Sequence, residues 1–184
     1  MNPLDPSPFI LTNNGGSSSI TFALFRDADL PVPVTRGMVD RIGLPDCVMV
    51  VTDVLTQQSE RHTLNTSTHQ ACAGSLMEWL EQDVGSENLR TVAHRVVHGG
   101  QNYGRPEYVT RDMVAELRRI SPYDPEHMPA EIGLIEAFGA RYPKVPQVAC
   151  FDTAFHGDMP QVARLLPIPR RYEKLDLQRY GLHD

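Results

Sequence analysis

At 184 residues the chain has the length of about one domain. Apolar residues make up 41% and charged residues 22%, the makeup of a folded globule rather than a disordered chain. Seventeen basic against 23 acidic side chains give a net charge of −6, which disfavours a general nucleic-acid binder but permits a local cationic pocket.

The N-terminus, MNPLDPSPF, has no basic stretch and carries Asp5 and three prolines, so it does not read as a signal peptide. Phe9 to Asn13 reads as a short buried strand, broken at Gly15-Gly16. Ile20, Phe22 and Leu24 alternate with Thr21, Ala23 and Phe25, as a half-buried strand does. The stretch between, NNGGSSS, is then a hairpin loop. Cys47 to Val51 reads as a buried strand; at five residues it is the longest purely apolar run, far short of the ~20 of a membrane helix. Cys72, Leu76, Trp79 and Leu80 recur at helical spacing and predict a helix over about 69–83. Thr91 to Val97 predicts a strand ending at Gly99-Gly100. Met113, Leu117 and Ile120 mark a helix that Thr110 can cap, and Ile132, Ile135 and Phe138 mark another after Pro129. Gln147 to Phe151 is a short apolar strand, and the tail from Pro160 is rich in Arg, Pro and Tyr. Strands first, then alternating helix and strand, favour an α/β fold with a mixed sheet. Cys47, Cys72 and Cys150 lie 25 and 78 positions apart with no CxxC, which predicts neither a disulfide framework nor a structural zinc. A soluble cytoplasmic protein is the expectation.

Three stretches can carry chemistry. In Asn14-Gly15-Gly16-Ser17-Ser18-Ser19, glycines let a backbone approach an anion, and hydroxyls and N–H groups donate to it. The same composition equally suits an ordinary polar turn. In HRVVHGG, alternation puts His94, Val96 and His98 on one face and Arg95 and Val97 on the other. Arg95 at a strand's end can fork onto a carboxylate or phosphate, or sit in a surface ion pair. The HxxxH spacing binds zinc only on a helix, and a strand is predicted here. Gly99 to Arg105 misses the P-loop pattern, with Arg105 and Pro106 where lysine and a hydroxyl residue belong. Asp152 follows the last apolar strand, at the edge where open α/β sheets bind ligands; it can offer oxygen to a cation or cap a helix. His127, in HMPAE, and His183, in YGLHD, are single histidines, which are more often structural than catalytic.

Taken together, NNGGSSSITFALF, AHRVVHGG, HMPAEIGLIEA, FDTAFHGDMP and RYGLHD, in this order, resemble sequence blocks of acetate kinase and its short-chain acyl kinase relatives. The resemblance implies the fold of the acetate and sugar kinase, heat-shock chaperone and actin superfamily. That is a ribonuclease H-like mixed sheet with flanking helices, the first domain of a two-domain acyl kinase. Residues 1–151 would be the acyl- and phosphate-binding domain, and 152–184 the active-site strand end and the start of the interdomain connection. The activity implied is reversible transfer of the ATP γ-phosphoryl to acetate, giving acetyl phosphate and ADP, with Mg²⁺. Matched residue by residue, Asn14, Gly16, Ser17 and Ser19 would line the phosphates, with Asn14 near the metal. Arg95 would hold the acyl carboxylate, with Val97 near its methyl group. His127 and His183 would stabilise the phosphoryl in flight, and Asp152 would orient metal or substrate.

Thr21 stands where the family has a lysine, Leu182 where it has a phenylalanine, and Asp184 where it has a glycine. Family members run to roughly twice this length, a size that means two domains. The resemblance therefore covers an N-terminal half, with the adenosine pocket in a second half that this chain lacks, and the chain alone is expected to be inactive. Full-length relatives commonly form homodimers; a second chain could also supply the missing half. Propionate or butyrate as substrate, and a non-catalytic module binding an anion or a partner, are the alternatives. Neither nucleic acid nor membrane is an expected partner.

Overall fold

A computed structural model of the chain describes residues 8–66, 68–154, 160 and 169. Within them one eight-stranded sheet runs in the order β5-β4-β3-β2-β1-β6-β8-β7. Strands β1 (Phe9–Gly15), β2 (Ile20–Arg26), β3 (Val32–Asp40), β4 (Val48–Asp53) and β5 (Ser59–Thr63) form an antiparallel meander. Helix α1 (His69–Asp83) then crosses to β6 (Leu89–Val96), which pairs parallel to β1. The short β7 (Glu107–Tyr108), helices α2 (Arg111–Ile120) and α3 (Met128–Arg141), and β8 (Gln147–Phe151) complete the unit. β8 lies parallel to β6, and β7 borders β8 antiparallel. This is the expected mixed sheet with flanking helices.

Period-two alternation drives the central strands. Phe9, Leu11 and Asn13 of β1 and Ile20, Phe22 and Leu24 of β2 face the helices and are buried. There they meet Leu76 and Leu80 of α1 and Phe138 of α3. A second cluster joins Val96, Val97 and Phe151 to Met113, Leu117 and Ile120 of α2 and to Ile132 and Ile135 of α3. Each such fully buried side chain contributes roughly 1.5–3 kcal/mol. The starts of α1 and α2 are capped by threonines: Thr68 Oγ1 accepts the Ala71 N–H at 3.3 Å, and Thr110 Oγ1 accepts the Met113 N–H at 3.1 Å. The opposite face of β1, β2, β6 and β8 carries Thr12, Asn14, Thr21, Ala23, Ala93, Arg95 and Cys150, and no helix among the described residues covers it.

The periodicity reading missed β3, β5 and the two-residue β7. Strand β3 contains Pro33 and Gly37 and has a register shift against β2, so its alternation is broken. The five residues of β5, SERHT, include no apolar one, and only pairing with β4 makes them a strand. The cysteines make no disulfide, yet Cys47 and Cys72 are buried with their sulfurs 3.5 Å apart.

Two glycines should respond in opposite directions to alanine. A Cβ on Gly37 would lie 2.3 Å from the ring of Phe22, itself packed on Trp79. A Cβ on Gly74, inside α1, would meet nothing within 4 Å. Urea unfolding should show Gly37→Ala destabilised by roughly 1–3 kcal/mol and Gly74→Ala stabilised by about 0.5–1 kcal/mol.

Candidate active site

Because β1, β6 and β8 are parallel, the segments that follow them leave the same edge of the sheet. Register pairs Thr21 with Asn14, Asn14 with Arg95, and Arg95 with Cys150, so these four form one row across the open face. They line a recess of about 470 Å³ with Thr12, Ala23 and Ala93.

The turn after β1 is held by its carbonyls. The Ser19 carbonyl accepts the Gly16 N–H at 2.8 Å, and the Ser18 carbonyl accepts the Ile42 N–H at 2.9 Å. The Ser17 carbonyl accepts from His69 Nε2 at 2.8 Å, which ties the turn to the start of α1. The hydroxyl-bearing residues Ser17 and Ser18 stay exposed.

After β8, Asp152 opens a short 3-10 turn rather than capping a helix. Its two oxygens accept from Arg95: Oδ1 from Nε at 2.9 Å and Oδ2 from Nη2. The Asp152 hydrogen bonds raise the Arg95 pKa above its ordinary value, outweighing partial burial. This fork uses Nε and one Nη; a guanidinium has five donors, so others remain for a ligand. Thr153 accepts the Gly99 N–H at 3.1 Å and joins the β6 and β8 turns. Gly99 is required there, since a Cβ would lie 2.2 Å from the Tyr103 carbonyl oxygen.

The alternation expected through Val97 does not hold. Strand β6 ends at Val96, and Val97 turns into the core at 3% exposure beside it, while the Arg95 side chain is 45% exposed. The Val97 N–H donates to both oxygens of Glu131, at 3.1 and 3.2 Å. Glu131 lies in the first turn of α3, one turn past His127. His127 is in turn fixed by Asp124, which accepts from its Nδ1 at 3.0 Å and from its backbone N–H at 3.1 Å. Burial alone would raise the Asp124 pKa; the hydrogen bonds from the His127 side chain and backbone outweigh it and lower it.

Beneath the row lies a buried polar chain. His94 Nδ1 donates to Asn13 Oδ1 at 2.9 Å. The Gln147 amide is satisfied when its nitrogen donates to His94 Nε2 at 2.6 Å and to the Ile135 carbonyl at 3.1 Å, its oxygen accepting the Gly139 N–H at 3.1 Å. Burial pushes the His94 pKa down to about 4, so the ring is neutral.

The structure thus brings Asn14, Arg95 and Asp152 together, with Gly16, Ser17 and Ser19 in the adjoining turn and His127 near the α3 end of the same edge. His183 lies outside the described residues. Sequence reading missed His69, Asp124, Glu131 and Gln147, none of which sits in a recognisable spacing. Among the described residues, no three His, Cys, Asp or Glu side chains gather as a metal cage. No helix among them is long and apolar enough to cross a membrane.

The Acetokinase family model matches residues 9–184. Over 180 residues the chain is 34% identical to an acetate kinase of Rhodopseudomonas palustris, covering 96% of this chain and 45% of the relative. It is 35% identical over 178 residues to an acetate kinase of Bacillus cereus, covering 95% of this chain and 44% of that one. Among solved structures it resembles a propionate kinase from Francisella tularensis, with TM-score 0.86 and 29% identity over 96% of this chain and 45% of that one. An acetate kinase of Porphyromonas gingivalis gives TM-score 0.85 and 26% identity over the same shares. The chain therefore spans about half the length of the relatives it matches.

His94 and Glu131 should shape stability in opposite senses. Burial lowers His94 from 6.5 to about 4, so its contribution is full above pH 6.5 and is lost as pH falls toward 4. Burial raises Glu131 from 4.5 to about 7, so its contribution is full below pH 4.5 and is lost as pH rises through 7. Glu131→Gln should match the parent near pH 4.5 and exceed it by on the order of 1–3 kcal/mol at pH 8, read by urea unfolding. An equal effect at both pH values would show that Glu131 does not titrate in this range.

Proposed function

The chain belongs to the Acetokinase family, and on that premise we propose that it supplies the acid- and phosphate-binding half of an ATP-dependent acyl kinase. The reaction is reversible transfer of the γ-phosphoryl of ATP to the carboxylate of acetate, giving acetyl phosphate and ADP. One observation carries the reading: parallel pairing puts Arg95, clamped by Asp152, directly beside Asn14 and the serine turn. A cationic donor for an acid thus adjoins a donor-rich turn for a phosphate.

Arg95 binds the acid carboxylate through donors that Asp152 leaves over, while Asp152 keeps the guanidinium in one orientation. A carboxylate is already a nucleophile, so no strong base is needed. The protein's work is to hold acid and phosphoryl group in line and to stabilise the equatorial oxygens. Ser17 and Ser19 offer hydroxyl donors to the phosphates, held by the pinned carbonyls of the turn, while Gly16, whose N–H is taken by the Ser19 carbonyl, shapes the turn around them. His127, fixed through Nδ1 by Asp124, offers Nε2 to the phosphoryl in flight, and His183 is assigned the same duty. Val97, the candidate neighbour of the acyl methyl group, is buried in the cluster that holds Ile132 and Ile135 of α3.

The residues fit a Mg²⁺ ion that arrives on a nucleotide. The Asn14 amide and the Ser17 and Ser19 hydroxyls are neutral oxygen donors, suited to an ion that keeps most of its waters and is bound largely by phosphates. Bound there, the ion would supply positive charge to neutralise the phosphates. The adenosine site, and with it turnover, is assigned to a second half such as the longer relatives possess, in the same polypeptide or another chain. The complete enzyme is read as a cytoplasmic homodimer. Propionate is the second candidate acid, since one of the similar structures is a propionate kinase.

The 184-residue chain alone should give no ATP-dependent acetyl phosphate in a hydroxamate assay; robust turnover would overturn its reading as a half. In the protein completed with a nucleotide half, Arg95→Ala should raise KM for acetate at least about tenfold, and Asp152→Asn should mainly lower kcat, since a charged hydrogen bond is worth ~1.5–3 kcal/mol. Wild-type kinetics in both variants would refute the assignment. Thr21 faces Asn14 across the β1–β2 ladder, so Thr21→Lys should tighten ATP binding by about tenfold on the same scale.

A further inference from the structure

Glu131 is the sole buried carboxylate among the described residues, at 3% exposure, and the phosphoryl-transfer reading gives it no task. It sits where α3 meets the end of β6, with both oxygens on the Val97 N–H. Among the described residues it makes no ion pair: Arg95 forks onto Asp152, and His127 binds Asp124.

The charged groups acting on it come from every element that meets there. Arg95 projects from β6, Asp152 follows β8, and His127 precedes α3 with Asp124 bonded to it. Arg95 and His127 favour an ionised Glu131, Asp152 opposes it, and burial opposes it most strongly. An acid anion arriving at Arg95 adds one more negative charge. With Glu131 ionised, three carboxylates would then share one guanidinium in a partly desolvated corner. A proton on Glu131 removes one of those charges and leaves its carbonyl oxygen to accept the Val97 N–H.

Resting on the acyl reading of Arg95, we propose that binding of a monocarboxylate anion at this edge is coupled to uptake of one proton from solvent by the Glu131 carboxylate. Glu131 is then a positioning residue that holds the end of β6 and sets the pH range in which the site accepts an acid. When the acid leaves, the proton returns to solvent, so the exchange balances without any further reactant. By reciprocity the bound anion raises the proton affinity of Glu131 by the same factor by which the proton raises that of the anion. The acid should bind tightest below neutral pH and more weakly as Glu131 ionises, in keeping with its pKa near 7 in the free protein.

The test is an acetate titration of the 184-residue chain followed by NMR, at pH 6 and pH 8.5, on the parent and on Glu131→Gln and Arg95→Ala. Glutamine keeps an oxygen for the Val97 N–H and nearly the same volume. In the parent, acetate affinity should fall roughly tenfold between the two pH values, within the range usual for two coupled sites. Glu131→Gln should bind acetate with less than a twofold change. A carboxyl-labelled Glu131 should titrate near neutrality without acetate and at higher pH with it; this readout needs only the parent protein and stands even if the glutamine variant fails to fold. Acetate binding with the parent's pH dependence in Glu131→Gln, or a Glu131 midpoint that acetate does not move, overturns the proton coupling and leaves the acyl site intact. Acetate affinity unchanged in Arg95→Ala overturns the acyl site and the coupling with it.

Discussion

Parallel pairing of β1, β6 and β8 is the constraint on which the rest depends. Three strands running the same way must finish on one edge, so the turns that follow them share one small space. Asn14, Arg95 and Asp152 are 81 and 57 positions apart in sequence and meet only for this reason. The crossovers that make parallel pairing possible are α1 and the α2–α3 pair, both on one face. The same connections thus build the core on one face, and among the described residues no helix covers the opposite face beside the row of candidate residues.

The edge is rigid because backbone polar groups are tied across it. His69 holds the serine turn, Thr153 ties the β6 turn to the β8 turn, and Glu131 ties the β6 end to α3. Beneath them, the Asn13–His94–Gln147 chain links three strands to α3 with a neutral histidine at its centre. Burying polar groups is costly unless each finds a partner; the partners of this chain come from distant segments, and Asn13 Nδ2 is left without one among the described residues. A chain of net charge −6 still presents a cation at this edge, because Arg95 is oriented by one carboxylate and stays partly exposed.

Much of the fold was legible. Helix 69–83 and strand Gln147–Phe151 appear where periodicity puts them, and Thr110 caps α2 as its spacing implies. These segments carry their own signal, an apolar stripe or a short apolar run between breakers. Strands β3 and β5 carried none, since one is interrupted by Pro33 and Gly37 and the other is wholly polar. Val97 was misplaced because alternation was extended one residue beyond the end of β6, where the chain already turns inward. Glu131 and Asp124 were invisible because nothing in sequence distinguishes a buried or orienting carboxylate from a solvated one.

The sequence by itself determined the family, the α/β character and most of the candidate residues, because motifs and periodicity are local patterns that can be read without contacts. Tertiary structure alone decided which of those residues touch. Whether Arg95 meets Asp152, whether Val97 is buried, and whether Glu131 is desolvated depend on strand register and helix packing. Those are long-range pairings that no short stretch of sequence encodes.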